Sequence, residues 1–379
     1  MKKIVIAADS FKGSLNSGEV AESVEKGINN VFPNCEVHKV FIADGGEGTV
    51  NALVETLKGK LVTVKVNNPL MKPVDAIYGI IDNGKTAVIE MASASGLPLI
   101  SSNERNPMKT TSFGTGELIK DALLRGCRRF LVGIGGSATN DAGTGMLQAL
   151  GYNFFDAEGN ELGKGGEILS KIDRVDDSNV LKEIKDSEFI IVCDVTNPFS
   201  GENGAAYIFS PQKGASPEMV KLLDDGLKHF TKVIKKFNGL DIDKLLGAGA
   251  AGGLGGGFNA FLNASLVSGI KMVLEAAGFE KLIKNADLII TGEGKLDAQT
   301  AMGKAPRGVL DIANKHHIPV IAIGGTVEAF DTLNSQGFAA VFPILPAPST
   351  LERAMEADYA KANIKNTITQ ILRLKLMLQ

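Results

Sequence analysis

Acidic side chains stand beside glycines at several places in this sequence, and this combination suits the chemistry of phosphate groups. The segments cover residues 9–14, 44–49, 135–141 and 291–297, and a further segment, residues 193–198, carries an acid and an amide without a glycine. Phosphoryl transfer needs cations on the phosphates, carboxylates that hold Mg²⁺ and a carboxylate that takes the proton of the acceptor hydroxyl. The four histidines show no metal-binding spacing, so we expect the acid–base group to be Asp, Glu or Lys.

The first segment carries three side chains with chemical potential. Asp9 suits a catalytic base or a metal ligand, Lys12 can neutralise an anionic group, and Ser10 can hydrogen-bond to a substrate. The same pattern also fits an ordinary strand-to-helix loop with a capping Asp.

The second segment places two acids around paired glycines. Gly45 and Gly46 permit close approach of the backbone to a substrate. Asp44 is then expected to be a catalytic group or a metal ligand. Glu47 either contacts the substrate or only complements a helix N-terminus.

Residues 135–141 have the composition of an anion-binding turn. N–H groups around Gly135, Gly136, Ser137 and Thr139 are predicted to hold the phosphates of a nucleotide. The alternative is that the polar residues after Thr139 only cap a helix.

Further nucleotide contacts are predicted at Gly249 and Gly252, which lie in a glycine-rich run, and at Thr291, Gly292 and Lys304. Thr291 and Gly292 follow an apolar run, and Lys304 lies near the start of a helical pattern.

Three more acids complete the candidate site. Asp194 and Glu293 are hard-oxygen ligands of the kind that Mg²⁺ prefers, and Asp297 is a further candidate for the catalytic base. Several acids at one sheet edge are a stronger signal than any one of them.

Two glycine motifs occur in settings that argue against their usual functions. Residues 79–86 match the P-loop pattern, but residues 87–91 have the character of a strand where a P-loop needs a helix. Residues 247–252 match G-x-G-x-x-G, but residues 240–246 are poor strand sequence. Residues 133–138 have the better context for a pyrophosphate. An NAD-linked dehydrogenase of a small hydroxy acid, or a nucleotide-binding module without catalysis, therefore stays an alternative.

Continuous apolar runs predict the strands that must position these segments. Without alternation, such runs fit parallel strands buried on both faces, whose carboxyl ends bind ligands. The runs are residues 4–8, 37–43, 130–134, 189–193, 288–290 and 320–323. Helices are predicted over residues 18–30 with Ser17 as cap, 46–57, 114–125, 141–150, 218–237, 260–277, 304–316 and 351–377.

The strand–helix alternation breaks in the middle of the chain. Residues 61–66, 74–81 and 86–91 are predicted as consecutive strands, with a hairpin turn at residues 82–84. Two α/β domains are therefore expected. One combines residues 1–65 and 285–379, the other is the inserted stretch of residues 66–284, and an active site is expected in the cleft between them.

Composition limits the partners. The chain has 379 residues and a net charge of −3, which gives no overall field for nucleic acid or an anionic membrane. Cys35, Cys127 and Cys193 are too far apart for a zinc site and fit a reducing compartment. The first apolar run ends at Asp9, too early for a signal peptide. We expect a cytoplasmic protein, as a monomer or homodimer.

The ordered set of motifs resembles the bacterial glycerate kinase family that has no P-loop. The motifs run nearly from end to end, which is more specific than any single glycine pattern. They are residues 9–15 (DSFKGSL), 43–49 (ADGGEGT), 91–97 (MASASGL), 114–119 (GTGELI), 133–141 (GIGGSATND), 193–198 (CDVTNP), 212–215 (QKGA), 247–255, 291–294 (TGEG) and 303–304 (GK). Ala142 and Ile42 depart from the family pattern without removing a polar group.

The resemblance implies transfer of a phosphoryl group from ATP to D-glycerate with Mg²⁺. It implies a Rossmann-like parallel-sheet domain with an inserted flavodoxin-like domain. Its product is 2-phosphoglycerate or 3-phosphoglycerate, and the residues leave that choice open.

Overall fold

The computed structural model describes residues 1–11, 13–40, 42, 50, 54, 57–297, 300 and 305–377. The chain divides into two compact units, one of residues 1–44 and 270–379 and one of residues 45–269. Each unit contains its own sheet flanked by helices, so the predicted α/β class is confirmed. No helix within the described ranges is long and apolar enough to cross a membrane.

The borders of the two units fall earlier in the chain than the sequence predicted. Residues 60–67 belong to the second unit because they pair with the strand at residues 73–81 in its sheet. Ile270 and Leu274 belong to the first unit because they pack with Val5 and Ile289 in its core.

The first unit is built on five parallel strands in the order β13-β12-β11-β1-β2. The apolar runs predicted at residues 4–8, 288–290 and 320–323 all form strands of this sheet. Its strands are β1 (Lys3–Ala8), β2 (Glu36–Lys39), β11 (Leu288–Leu296), β12 (Val320–Val327) and β13 (Ala340–Pro343).

Helices cover both faces of this sheet over two separate cores. They are Ser17–Asn29, Gly269–Ala276, Phe279–Leu282, Ala305–Lys315, Phe330–Ser335, Leu351–Met355 and Ala357–Met377. The cap of the first helix is Asn16, one residue before the predicted Ser17. Its side chain accepts the N–H of Glu19, and the Glu19 carboxylate accepts the N–H of Asn16 in return.

The second unit contains a mixed sheet in the order β10-β9-β6-β5-β4-β3. The first four strands in this order run parallel, and β4 and β3 are antiparallel to their neighbours. The strands are β3 (Lys60–Asn67), β4 (Pro73–Ile81), β5 (Thr86–Glu90), β6 (Arg129–Gly133), β9 (Glu188–Val192) and β10 (Ser265–Val267). A separate antiparallel pair joins β7 (Asn153–Phe155) to β8 (Arg174–Asp176).

The helices of the second unit confirm some predictions and correct others. They are Ala92–Ser95, Phe113–Leu124, Thr144–Ala149, Ala205–Phe209, Pro217–Asn238 and Ala250–Leu262. The single helix predicted over residues 260–277 is wrong, because Asn263 takes a left-handed conformation and β10 follows. The helix predicted over residues 46–57 lies largely outside the described residues.

The two misleading glycine motifs are resolved by the fold. Residues 82–84 join β4 to β5 as an antiparallel hairpin, as predicted, so residues 79–86 do not form a P-loop. A short 3₁₀ helix, Ile242–Lys244, precedes Gly247 where a dinucleotide-binding loop needs a strand.

Candidate active site

The carboxyl edge of the first sheet brings two predicted segments together. β1 and β11 pair with Ala8 opposite Gly292. The N–H of Asp9 donates to the Gly292 carbonyl at 2.8 Å. Residues 9 and 10 therefore lie beside residues 291–294, as expected for neighbouring parallel strands.

The side chains at this edge differ in how far they are exposed. Asp9 is only 7% exposed, and its Oδ1 accepts the N–H of Ser10 at 2.6 Å. Thr291 is fully buried, and its hydroxyl donates to the Ala7 carbonyl at 2.6 Å. A Cβ on Gly292 would lie 2.4 Å from the Ile323 carbonyl oxygen. Thr291 and Gly292, predicted as nucleotide contacts, thus serve the packing and pairing of the sheet.

Thr300 links two of the predicted acids, although it is not among the predicted site residues. Its hydroxyl donates to Glu293 Oε1 at 2.6 Å and accepts the N–H of Asp297 at 3.0 Å. Its own N–H donates to Asp297 Oδ1 at 3.3 Å. The spacing of Asp297 and Thr300, three residues apart, is typical of such reciprocal turns. Thr300 therefore fixes the relative orientation of the two carboxylates.

Lys295 lies between Glu293 and Asp297 in the sequence, but its closest ion pair is with a third acid, Glu328. Its Nζ is 2.9 Å from Glu328 Oε2 and 3.9 Å from Asp297 Oδ2. The hydrogen bond to Glu328 raises the pKa of Lys295 above its ordinary value. The residue stays cationic at neutral pH and offsets part of the negative charge of Asp297.

The carboxyl edge of the second sheet carries the turn after β6. The Gly136 carbonyl accepts the N–H of Leu97 at 2.9 Å, and the N–H of Ala138 donates to the Ser95 carbonyl at 3.0 Å. Gly135 and Gly136 are exposed, and a Cβ on Gly135 would meet no atom within 4 Å. The turn is therefore anchored on one side and open on the other.

Asp141 closes this turn and organises two neighbouring helices. It is completely buried. Its carboxylate accepts the N–H and hydroxyl of Ser112 at 2.7 and 2.9 Å, and the N–H groups of Gly143 and Gly145 at 3.2 and 3.3 Å. Burial raises the pKa of Asp141, and these hydrogen bonds oppose the rise.

The start of the helix Thr144–Ala149 therefore differs from the prediction. The helix is predicted to begin at Asp141, and N–H groups before it, around Ser137 and Thr139, are predicted to hold phosphate. It begins three residues later, and Asp141 accepts N–H groups at its start. Any positive charge at the preceding turn must come from elsewhere.

Lys213 supplies that charge, and the sequence assigned it no role beyond a family motif. It ends the short 3₁₀ helix Pro211–Lys213 and is 1% exposed. Its Nζ donates to Ser137 Oγ at 2.7 Å and to the Thr139 carbonyl at 2.6 Å. Burial lowers the pKa of Lys213 to about 7, and the nearby Asp141 charge acts in the opposite direction.

Gly249 and Gly252 make room for protein backbone. Both are buried. A Cβ on Gly249 would lie 2.1 Å from the Pro198 carbonyl oxygen, and one on Gly252 would lie 2.1 Å from the Thr139 carbonyl oxygen. The lack of side chains at Gly249 and Gly252 lets this glycine-rich run pack closely against residues 193–198 and 135–141. The sequence predicted a different reason for these glycines, contact with a nucleotide.

Asp194 lies at the same edge, directly after β9 and Cys193. It is exposed, and its Oδ1 accepts the N–H of Gly269 at 2.9 Å. Within the part of the chain that the structure describes, no group of three or more His, Cys, Asp or Glu side chains could hold a metal ion. Asp194 belongs to the second unit and Glu293 to the first.

Six predicted site residues lie outside the described residues. They are Lys12, Asp44, Gly45, Gly46, Glu47 and Lys304.

The fold and these edges define an α/β protein with acidic and glycine-rich loops at the carboxyl ends of two parallel strand arrays. The model of the glycerate kinase family matches residues 4–376. This chain therefore belongs to the glycerate kinase family.

Curated relatives match over nearly their whole length. The Glycerate 2-kinase of Escherichia coli K12 is 47% identical over 97% of this chain and 98% of its own. The glycerate kinase of Bacillus subtilis 168 is 44% identical over 99% of both chains. A crystal structure from Salmonella typhimurium LT2, provisionally described as glycerate kinase 2, superposes with a TM-score of 0.87 at 44% identity and covers 100% of this chain and 99% of its own.

Proposed function

We propose that this protein transfers the γ-phosphoryl group of ATP to the 2-hydroxyl of D-glycerate, giving 2-phosphoglycerate and ADP. The observation that carries the proposal is the family match over residues 4–376. The 2-position is supported by the 47% identical Escherichia coli relative, which is named Glycerate 2-kinase. We further propose that the protein acts in the cytoplasm.

In phosphoryl transfer, a bond forms between the acceptor oxygen and the γ-phosphorus while the bond from the γ-phosphorus to the bridging oxygen breaks. The hydroxyl oxygen of glycerate attacks the γ-phosphorus, the bridging oxygen leaves with ADP, and the hydroxyl proton passes to a base. Asp9 and Asp297 are the described candidates for that base. Each already has one carboxylate oxygen held by a backbone N–H, which fixes the orientation that proton transfer requires.

The turn after β6 is the proposed phosphate contact. Gly135 and Gly136 present their backbone without side chains on the open side of the turn, which suits close approach of phosphate oxygens. Ser137 keeps 8% of its surface exposed beside them. Thr139 is fully buried, so we propose that it supports the turn.

Mg²⁺ fits the chemistry of the available oxygen donors. Asp194 accepts a hydrogen bond from a backbone N–H, and Glu293 accepts one from a hydroxyl, and these bonds help to orient the two carboxylates. Mg²⁺ commonly takes only one or two protein carboxylates and fills its remaining positions with phosphate oxygens and water. Each of the two acids is therefore a candidate ligand. The ion would neutralise charge on the phosphates.

The proposal is tested by ADP release from purified protein with ATP and Mg²⁺. We expect ADP only when D-glycerate is present, and much less with L-glycerate or glycerol. Nicotinamide absorbance changes with NAD and glycerate would instead indicate the dehydrogenase alternative. Nucleotide binding without turnover would indicate a module without catalysis, and either result would overturn the proposal.

A further inference from the structure

Lys213 is a buried lysine that has no role in the reaction proposed above. Its side chain is 1% exposed, and both oxygens that accept its hydrogen bonds are uncharged. A buried ammonium group without full compensation is costly. Both acceptors belong to the turn after β6, and the side of that turn at Gly135 is open.

The hydrogen bond to Ser137 constrains where the serine hydroxyl points. An ammonium group can only donate hydrogen bonds, so Ser137 Oγ accepts from Lys213. The serine proton must then point away from Lys213. Ser137 retains some exposure beside the two exposed glycines.

We propose that Lys213 is the positioning residue of this turn: it orients the Ser137 hydroxyl to donate to a nucleotide phosphate and supplies positive charge behind it. This inference rests on the proposed function, because it needs a phosphate at the turn. Lys213 itself is buried and acts on the nucleotide through Ser137.

The charges around Lys213 make its effect depend on pH. Asp141 faces it from the same turn and favours the ammonium form. Arg105 packs against Gly214, the residue after Lys213. A Cβ added to Gly214 would lie 2.9 Å from the Cβ of Arg105. Ser210 and Asn140, which are bonded to each other, add no charge. The protonated form of Lys213 favours an anionic ligand, so affinity for ATP should fall as pH rises above about 7.

The main test is Lys213→Met, with Lys221→Met as the matched control. Lys221 is exposed on the helix Pro217–Asn238. We expect Lys213→Met to raise KM for ATP by about 10- to 100-fold, as loss of a charge-assisted interaction does, and KM for D-glycerate by less than about threefold. The rise of the wild-type KM for ATP between pH 7 and 9 should be absent in the variant. Lys221→Met should behave like the wild type.

Ser137→Ala gives a second, independent test that also covers failure of Lys213→Met to fold. It should raise KM for ATP selectively and flatten its pH dependence. The double variant should be little worse than the worse single variant, because both remove one interaction. Unchanged KM for ATP in folded Lys213→Met or in Ser137→Ala, or equal changes in both KM values, would overturn the inference. Absence of phosphoglycerate with the wild type would instead overturn the proposed function.

Discussion

Replacing Lys213 with methionine should remove a pH dependence from the stability of the protein. The ordinary pKa of a lysine in an unfolded chain is about 10.4, and burial lowers the pKa of Lys213 in the folded protein to about 7. Between these two values the unfolded chain binds more protons than the folded one. The contribution of Lys213 to the free energy of unfolding therefore rises with pH in this window and levels off below about pH 7, where the lysine is protonated in both states.

The size of the effect follows from this window. A full proton difference changes the free energy of unfolding by about 1.4 kcal/mol per pH unit. Lys213 is half protonated near pH 7, so the gain from pH 7 to 9 is about 2 kcal/mol. Methionine has no proton to lose, so this gain should vanish in Lys213→Met. Contributions of titrating groups that do not interact with Lys213 cancel in the difference between the two proteins.

Urea unfolding followed by circular dichroism at pH 6.5, 7, 8 and 9 measures this difference. The difference in free energy of unfolding between the wild type and Lys213→Met should change in favour of the wild type as pH rises. Lys221→Met should show the same pH dependence as the wild type. Stability curves for wild type and Lys213→Met that stay parallel within about 0.5 kcal/mol over pH 7–9 would refute the buried-lysine argument.

Three further substitutions test the packing and the hydrogen bonds of the two edges. Gly252→Ala should cost about 2–4 kcal/mol in urea unfolding, because its φ is +72° and its Cβ would meet backbone; Gly159→Ala, with positive φ but open space, should cost only about 1 kcal/mol. Asp141→Ala should cost about 3–5 kcal/mol, since several buried donors lose their acceptor, and a loss below about 1 kcal/mol would contradict its bracing role. Thr300→Val should lower kcat/KM about tenfold or more by releasing two acidic side chains, whereas Thr63→Val on exposed strand surface should leave activity unchanged.

Much of the sheet architecture is visible in the sequence because its signal is local. The apolar runs at residues 4–8 and 189–193 form β1 and β9, and the polar segments that follow them lie at the carboxyl edges. The turn residues 82–84 predicted the hairpin correctly because an Asn-Gly pair has few alternatives.

The features that the sequence could not predict depend on contacts between distant segments. Lys213 ends a short 3₁₀ helix, where a lysine is usually exposed, and only the fold buries it against Ser137. β10 escaped prediction because Ser265–Val267 owes its strand character to pairing with β9. Gly249 and Gly252 are predicted as nucleotide contacts, and the structure adds a second reason for glycine there, because protein backbone approaches both positions closely.

The proton-coupled ³¹P spectrum of the product tests the central claim most directly. Purified protein is incubated with ATP, Mg²⁺ and D-glycerate until ADP accumulates. Phosphate on the 2-oxygen couples to the single hydrogen of its carbon, so a new phosphomonoester doublet is predicted. A triplet, from the two hydrogens at the 3-position, would contradict the proposed 2-position, and the absence of any new phosphomonoester signal would contradict phosphoryl transfer to glycerate itself.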